Sequence, residues 1–283
     1  MSKTSFALPR FHVVQRGDLS QGKTWVYRLL AVLLAIVMGG LFLLLLGYNP
    51  LSVYWTMLKG SLGSVGMQKE TIKIMIPLCL TTLGVTLAFK MRFWNIGAEG
   101  QICAGAIAAS YFAYFHNYLP REVLLPVMAV AAIAAGGLWG LLPAVFKTRF
   151  GTNETLFTLM LNYIVGYFIT FLREGPWRNP EGGFAATPRF EKQARLPDAW
   201  FPGVGNIHIG WIVMLVMVLA VFIYLRYTKQ GYEIAVVGEN VNTARYAGMP
   251  VSKIILRTMF LSAGLCGLVG MLQVAGPDRQ LTD

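Results

Sequence analysis

Asn95, Glu99 and Gln101 lie close together in the segment Phe93-Trp94-Asn95-Ile96-Gly97-Ala98-Glu99-Gly100-Gln101, which joins two apolar stretches. Two amides and a carboxylate offer the donors and acceptors that a hydroxyl-rich solute needs. An ionisable residue at membrane depth is a functional candidate, and irregular backbone is tolerated there only where protein buries it or a cavity waters it. Asn95, Gly97, Glu99, Gly100 and Gln101 are therefore candidates for a solute path. A plainer reading stands beside this one: Gly97 breaks a helix, and Glu99 complements the dipole of the helix that starts there.

Two further segments carry polar groups at telling positions. Thr152 or Asn153 caps a helix with Glu154 in its first turn, and Asn162 lies eight residues beyond Glu154, two turns along. An amide inside a span needs a partner on another helix or a water-lined path, so Asn162 joins the candidate path. The third segment runs from Gly231 to Pro250. Asn240 caps a short helix there, and Gly248 then Pro250 stop it. A helix that short is marginal alone in water, so either a cytosolic partner or the protein's own helix ends must hold it. It sets apolar Val241, Ala244 and Ala247 beside polar Asn242 and Arg245.

Catalytic signatures are missing from the sequence. His12, His116 and His208 are scattered, and neither H-E-x-x-H nor G-x-S-x-G occurs. Without a G-x-x-x-x-G-K-[ST] loop the chain cannot cradle nucleotide phosphates. It is read as a non-enzyme with no metal and no cofactor of its own; any ATP would be hydrolysed on another polypeptide.

The elements that must position these residues follow from composition. Of 283 residues 55% are hydrophobic and 13% charged, with a mean hydropathy of +0.56. Soluble domains carry about 25% charged residues, so an ordinary cytosolic enzyme, a disordered chain and a disulfide-stapled module are excluded. Cys79, Cys103 and Cys266 read as small core residues. The solvent implied is lipid, and the net charge of +11 is read through the loops that hold it rather than as a nucleic-acid signal.

A helix of about 20 residues crosses the hydrocarbon. Uncharged stretches give seven expected spans: 29–47, 74–89, 100–120, 123–146, 155–172, 199–225 and 258–277. The expected architecture is an all-α polytopic transmembrane bundle, one membrane domain over residues 25–283 after a tail of 1–24. With the N-terminus inside, the inner segments hold Lys3, Arg10, Arg16, Lys23, Arg28, Lys90, Arg92, Lys147, Arg149, Arg226, Lys229, Arg245, Lys253 and Arg257, more than half of the 24 basic residues. The largest inner loop is then 226–253. The largest outer loop is 173–210, whose Trp177, Trp200 and Trp211 suit headgroup depth. Small residues at Gly136 and Gly140, Ala104 and Ala108, and Ala263 and Gly267 recur four apart, which lets helix backbones approach closely in lipid.

NIGAEGQ, then NETLFTLMLNYI, then YEIAVVGENVNTARYAGMPVSK, in this order, resemble one family. It is the membrane permease subunit of bacterial ABC importers for nucleosides and simple sugars, the branch related to ribose permeases, and the resemblance covers residues 25–275. It implies a two-permease core with a sister permease, a separate ABC ATPase subunit, an extracytoplasmic solute-binding protein, and an inner-membrane location with the N-terminus cytoplasmic. By position, Gly231, Gly238, Asn240, Asn242, Ala244, Arg245 and Gly248 fall in the loop that would seat in the ATPase. Asn95 to Gln101 matches the family's broken-helix motif near the translocation path. Family members continue for further spans, so a C-terminally truncated permease is expected. The alternatives are a stand-alone secondary transporter coupled through intramembrane carboxylates, of which Glu99 is the one candidate, and a structural membrane protein.

Overall fold

The computed structural model describes residues 20–180 and 186–282. Most of the expected tail 1–24, with Lys3, Arg10, His12 and Arg16, lies outside the described residues, as does 181–185 of the expected outer loop. The chain forms two compact units, one ending at Gly63 and one beginning at Ser64.

The first unit holds α1 (Gln21–Leu45) and α2 (Pro50–Leu62). Asn49-Pro50 ends the α1 segment and also starts α2. The Asn49 Oδ1 accepts the Leu51 amide at 3.0 Å, and Pro50 occupies the first helical turn, where its missing N–H costs nothing. The Tyr54 hydroxyl donates to the Ile36 carbonyl at 2.8 Å and ties α2 to α1.

The second unit contains α3 (Val65–Lys90), α4 (Ala98–Phe115), α5 (Arg121–Phe150), α6 (Glu154–Glu174), a hairpin of β1 (Asp198–Phe201) and β2 (Gly205–His208), α7 (Gly210–Tyr227), α8 (Lys229–Glu239), α9 (Val241–Tyr246) and α10 (Val251–Gln273). A π-type turn, Val274–Asp278, continues α10. Helices α1, α3, α5, α6, α7 and α10 are long and apolar enough to cross a membrane. The remaining expected span is α4, a helix of 18 residues. It falls short in apolarity because its buried positions are Gly100, Gln101, Ala104, Gly105, Ala106, Ala109, Ser110 and Ala113, small or polar groups that face protein rather than lipid.

Several boundaries differ from the uncharged stretches. Helix α3 begins at Val65, not near Ile74, because charges do not stop a helix: Glu70 and Lys73 pair on its surface at 2.7 Å. Helix α7 begins at Gly210 rather than near Ala199. Residues 198–208 instead form an antiparallel ribbon with Trp200 opposite Asn206, turned by Gly203 and Gly205 at positive φ.

Helix α10 is the centre of the unit. Over its most apolar window 67% is buried, against 17% for α7. Two of the three small-residue stripes face each other. A Cβ on Gly136 would sit 2.6 Å from the Gly267 Cα, and one on Gly140 would overlap the Ala263 methyl. Helix α4 also meets α10 closely, with a Cβ on Gly105 set to overlap the Gly267 backbone. The backbones touch, so dispersion is gathered over whole helix faces. Ser262 adds a hydroxyl bond to the Gly84 carbonyl at 2.6 Å.

Candidate functional site

Helix α3 ends at Lys90, and Arg92 takes a left-handed conformation (φ 55°) that turns the chain out of the helix. Phe93 is then buried, with the Lys147 ammonium 5.5 Å from its ring centroid. Lys147 also pairs with the buried Glu154 at 2.5 Å, so Glu154 does more than complement the α6 dipole. The cap itself is Asn153, whose Oδ1 accepts the Thr155 amide at 3.0 Å and the Leu156 amide at 3.3 Å.

Asn95 and Gln101, 2% and 1% exposed, bond each other head to head. Each amide NH2 donates to the other's carbonyl oxygen at 3.2 Å, and the Asn95 Oδ1 also takes the Gly97 amide at 2.9 Å. These two side chains thus close the irregular segment across the start of α4. Asn162 links the same segment to α6: its Oδ1 accepts the Gly100 amide at 2.9 Å, and its Nδ2 donates to the Ile96 carbonyl at 3.1 Å. Thr158 accepts the Ile96 amide at 3.3 Å. The glycines permit this approach. A Cβ on Gly100 would lie 2.7 Å from the Asn162 Oδ1, and one on Gly97 2.9 Å from the Thr158 Cβ.

A cavity of about 330 Å³ opens between α4 and α6, lined by Glu99, Cys103, Leu159, Asn162, Tyr163, Gly166, Tyr167, Ile169 and Thr170. From Leu159 to Thr170 it follows α6 for roughly 16 Å at 1.5 Å per residue. Glu99 and Asn162 line it; Asn95, Gly97, Gly100 and Gln101 stand behind it and hold its end. Helix α6 buries Glu154, Thr158, Leu161, Val165, Ile169 and Leu172, a 3.6-residue repeat. It leaves Tyr163 and Tyr167 on the other side, Tyr167 being 76% exposed. The cavity is thus a mainly apolar groove carrying a few polar groups, on an outward face of the unit. Sequence reasoning did not find Tyr163, Tyr167 and Thr170, because hydroxyls inside an apolar run carry no spacing signal.

The third motif gathers at the end of the unit where α3 stops. Thr228 caps α8 by accepting the Gly231 amide at 3.1 Å. A Cβ on Gly231 would lie 2.5 Å from the Tyr224 and Leu225 carbonyl oxygens, and one on Gly238 would overlap the Lys90 carbonyl oxygen. Glu233 and Arg257 pair at 3.0 Å between α8 and α10. Asn240 caps α9 through the Asn242 and Thr243 amides at 2.8 and 3.2 Å. Gly248 follows the helix at φ +72°, its amide returning to the Arg245 carbonyl at 3.0 Å. Ala244 is the one buried residue of α9. Asn242, Arg245 and Tyr246 are exposed, Tyr246 at 93%. Ala244 packs α9 into a cluster with Ile234, Val237, Val251 and Ile254, while most of the helix surface faces outward. Gly231, Gly238, Asn240, Asn242, Ala244, Arg245 and Gly248 come together in this elbow. The Glu233–Arg257 clamp and exposed Tyr232 and Tyr246 were not anticipated.

The family described as "Branched-chain amino acid transport system / permease component" matches residues 70–282. The chain is 32% identical over 255 residues to the glucose ABC transporter permease protein TsgB13 of Haloferax volcanii, covering 87% of this chain and 67% of that protein. It is 31% identical over 251 residues to the guanosine ABC transporter permease protein NupP of Bacillus subtilis, covering 88% and 71%. It is 29% identical over 250 residues to the nucleoside ABC transporter permease protein NupB of Lactococcus lactis, covering 86% and 69%. No solved structure matches the chain.

Proposed function

The chain belongs to the branched-chain amino acid transport system / permease component family, and from that membership we propose that it is the membrane-spanning subunit of an ATP-driven importer, carrying a nucleoside or simple sugar along the groove between α4 and α6. The observation that carries this reading is the groove itself: a carboxylate from α4 and an amide and three hydroxyls from α6 lie along otherwise apolar walls. Such groups suit a solute rich in hydroxyls. An outward-facing groove needs a second permease to close it from lipid, consistent with a sister subunit. A separate ATPase seats on the α8–α9 elbow, and an extracytoplasmic binding protein delivers the solute at the other end. The chain binds no nucleotide of its own. It lies in the inner membrane with its N-terminus and the elbow in the cytoplasm.

The test is uptake of a labelled nucleoside or sugar by vesicles containing the chain with its sister permease and ATPase. ATP-dependent uptake supports the reading; uptake by this chain alone on an ion gradient returns the secondary transporter. Within that assay Glu99→Gln keeps the shape of the groove and removes its charge. A hydrogen bond to a charged group is worth about 1.5–3 kcal/mol, so the uptake rate is expected to fall roughly tenfold while the melting temperature holds. Unchanged uptake would leave Glu99 with only its place at the start of α4.

Gly248→Val tests the elbow. Open space surrounds Gly248, so a side chain meets no clash. The cost lies in the positive φ, about 1–2 kcal/mol for an L-residue and more for a β-branched one. The turn after α9 is expected to reset, Arg245 and Tyr246 to shift, and ATPase recovered on pull-down to drop several-fold while membrane insertion persists. Full recovery of the ATPase would show that α9 is not its seat.

A further inference from the structure

At the end of the unit away from α8 and α9, Arg121, Lys192, Arg195 and Arg279 surround a cavity of about 450 Å³ that also takes in Asp198 and His208. They arrive from separate places: the first residue of α5, the turn Lys192–Ala194 and the residue after it, the two ribbon strands, and the chain just beyond the π-type turn. The polar contacts of the cations are with uncharged backbone. Arg121 Nη2 donates to the Lys192 carbonyl at 2.7 Å, and Arg195 Nε to the Phe190 carbonyl at 2.8 Å. Among the described residues none of the four lies within ion-pair distance of a carboxylate. Among the described residues that line the cavity, four cations face one carboxylate, Asp198.

His208 supplies an independent sign. It is 7% exposed, and neither ring nitrogen has a hydrogen-bond partner. A buried polar group without a partner is costly and uncommon. Burial holds its pKa below the usual range; the Lys73 ammonium acts in the same direction and Asp198 opposes. The neutral ring thus keeps one N–H to give. A ligand with several oxygen acceptors and negative charge would satisfy both features.

Depth narrows the chemistry. The cavity lies where α5 begins at Arg121, where α7 begins at Gly210 just after His208, and where α10 has ended. Three apolar elements end there together, the level at which a bilayer presents its phosphates. We propose that this pocket binds a phosphate group, carried by an anionic phospholipid or free in solution, at a site separate from the α4–α6 groove.

Thermal unfolding of the purified full chain in detergent tests this, because a ligand that binds the folded state raises the midpoint with concentration. The probes are dioctanoyl phosphatidylglycerol, dioctanoyl phosphatidylcholine, and inorganic phosphate against chloride at matched ionic strength. A saturable rise with phosphatidylglycerol but not phosphatidylcholine is expected and assigns a lipid headgroup; a rise with inorganic phosphate alone assigns free phosphate. Lys192→Gln with Arg279→Gln changes two exposed side chains, so the unliganded midpoint should stay put while the apparent dissociation constant rises roughly tenfold or more. Should that pair fail to fold, Arg279→Gln alone gives the same reading at smaller size. The proposal is overturned if neither phosphatidylglycerol nor inorganic phosphate shifts the wild type, if phosphatidylcholine shifts it as far as phosphatidylglycerol does, or if the variants respond undiminished.

Discussion

Gly267→Leu is expected to abolish recovery of a monodisperse folded chain. Gly267 lies where α10 touches two helices at once. A Cβ there would overlap the Ala132 carbonyl oxygen and sit 3.0 Å from the Gly136 Cα, while the Gly267 backbone already occupies the space beside Gly105. All three obstacles are backbone, so no rotamer change relieves them. Overpacking a core costs about 1–3 kcal/mol where side chains can yield, and here whole helices must separate. The loss should exceed about 3 kcal/mol, a large share of a typical margin of 5–15 kcal/mol. Gly166→Ala is the control. It too lies inside a helix, but nothing stands within 4 Å of its added Cβ, so it should be neutral or stabilising by up to about 1 kcal/mol. Size-exclusion profiles and melting curves of the two variants make the comparison. Equal behaviour would mean that the α4–α5–α10 contact is looser than described.

The second large effect is expected at Asn95. Replacing it with Leu removes both bonds to Gln101 and the acceptor for the Gly97 amide. Each buried polar group left without a partner costs about 1–3 kcal/mol. Asn95→Leu should therefore destabilise the start of α4 by roughly 2–5 kcal/mol and open the 93–97 segment to protease. The double variant Asn95→Leu with Gln101→Leu should recover part of that loss, since two apolar groups facing each other leave fewer orphans. Losses that simply add would sink the paired-amide account. Because Asn162 bonds the neighbouring Ile96 and Gly100, the mouth of the groove should widen along with the clasp, and uptake should fall with stability.

How much of this was legible in the chain differs from residue to residue. Asn240, Gly248 and Asn153 were readable because caps and left-handed stops act within four residues of sequence. Asn95 and Gln101 were visible as unusual amides, but their pairing was not. Five residues separate them, and the amides meet because Asn95 lies in the irregular segment before α4, folded over the Gly97 amide, while Gln101 lies in the first turn of that helix. The hairpin at 198–208 was hidden inside an uncharged stretch that satisfied a span by length. Helix α2 was hidden because Asn49-Pro50 signals an end and a beginning with the same two residues.

Lipid as solvent was settled by composition alone, since so few charges cannot cover a soluble surface. The helical class and the approximate number of spans came with it, though not their boundaries, because backbone in hydrocarbon must satisfy itself within each segment. The three motifs, taken in order, also carried the family. Tertiary structure alone decided which stripes meet, that α10 is the central helix, that Glu99 and Asn162 share a groove with Tyr163 and Tyr167, and that four distant cations line one cavity with His208. Those outcomes depend on which helix faces which across long separations in the chain, and local periodicity constrains a residue's own face without naming the one opposite.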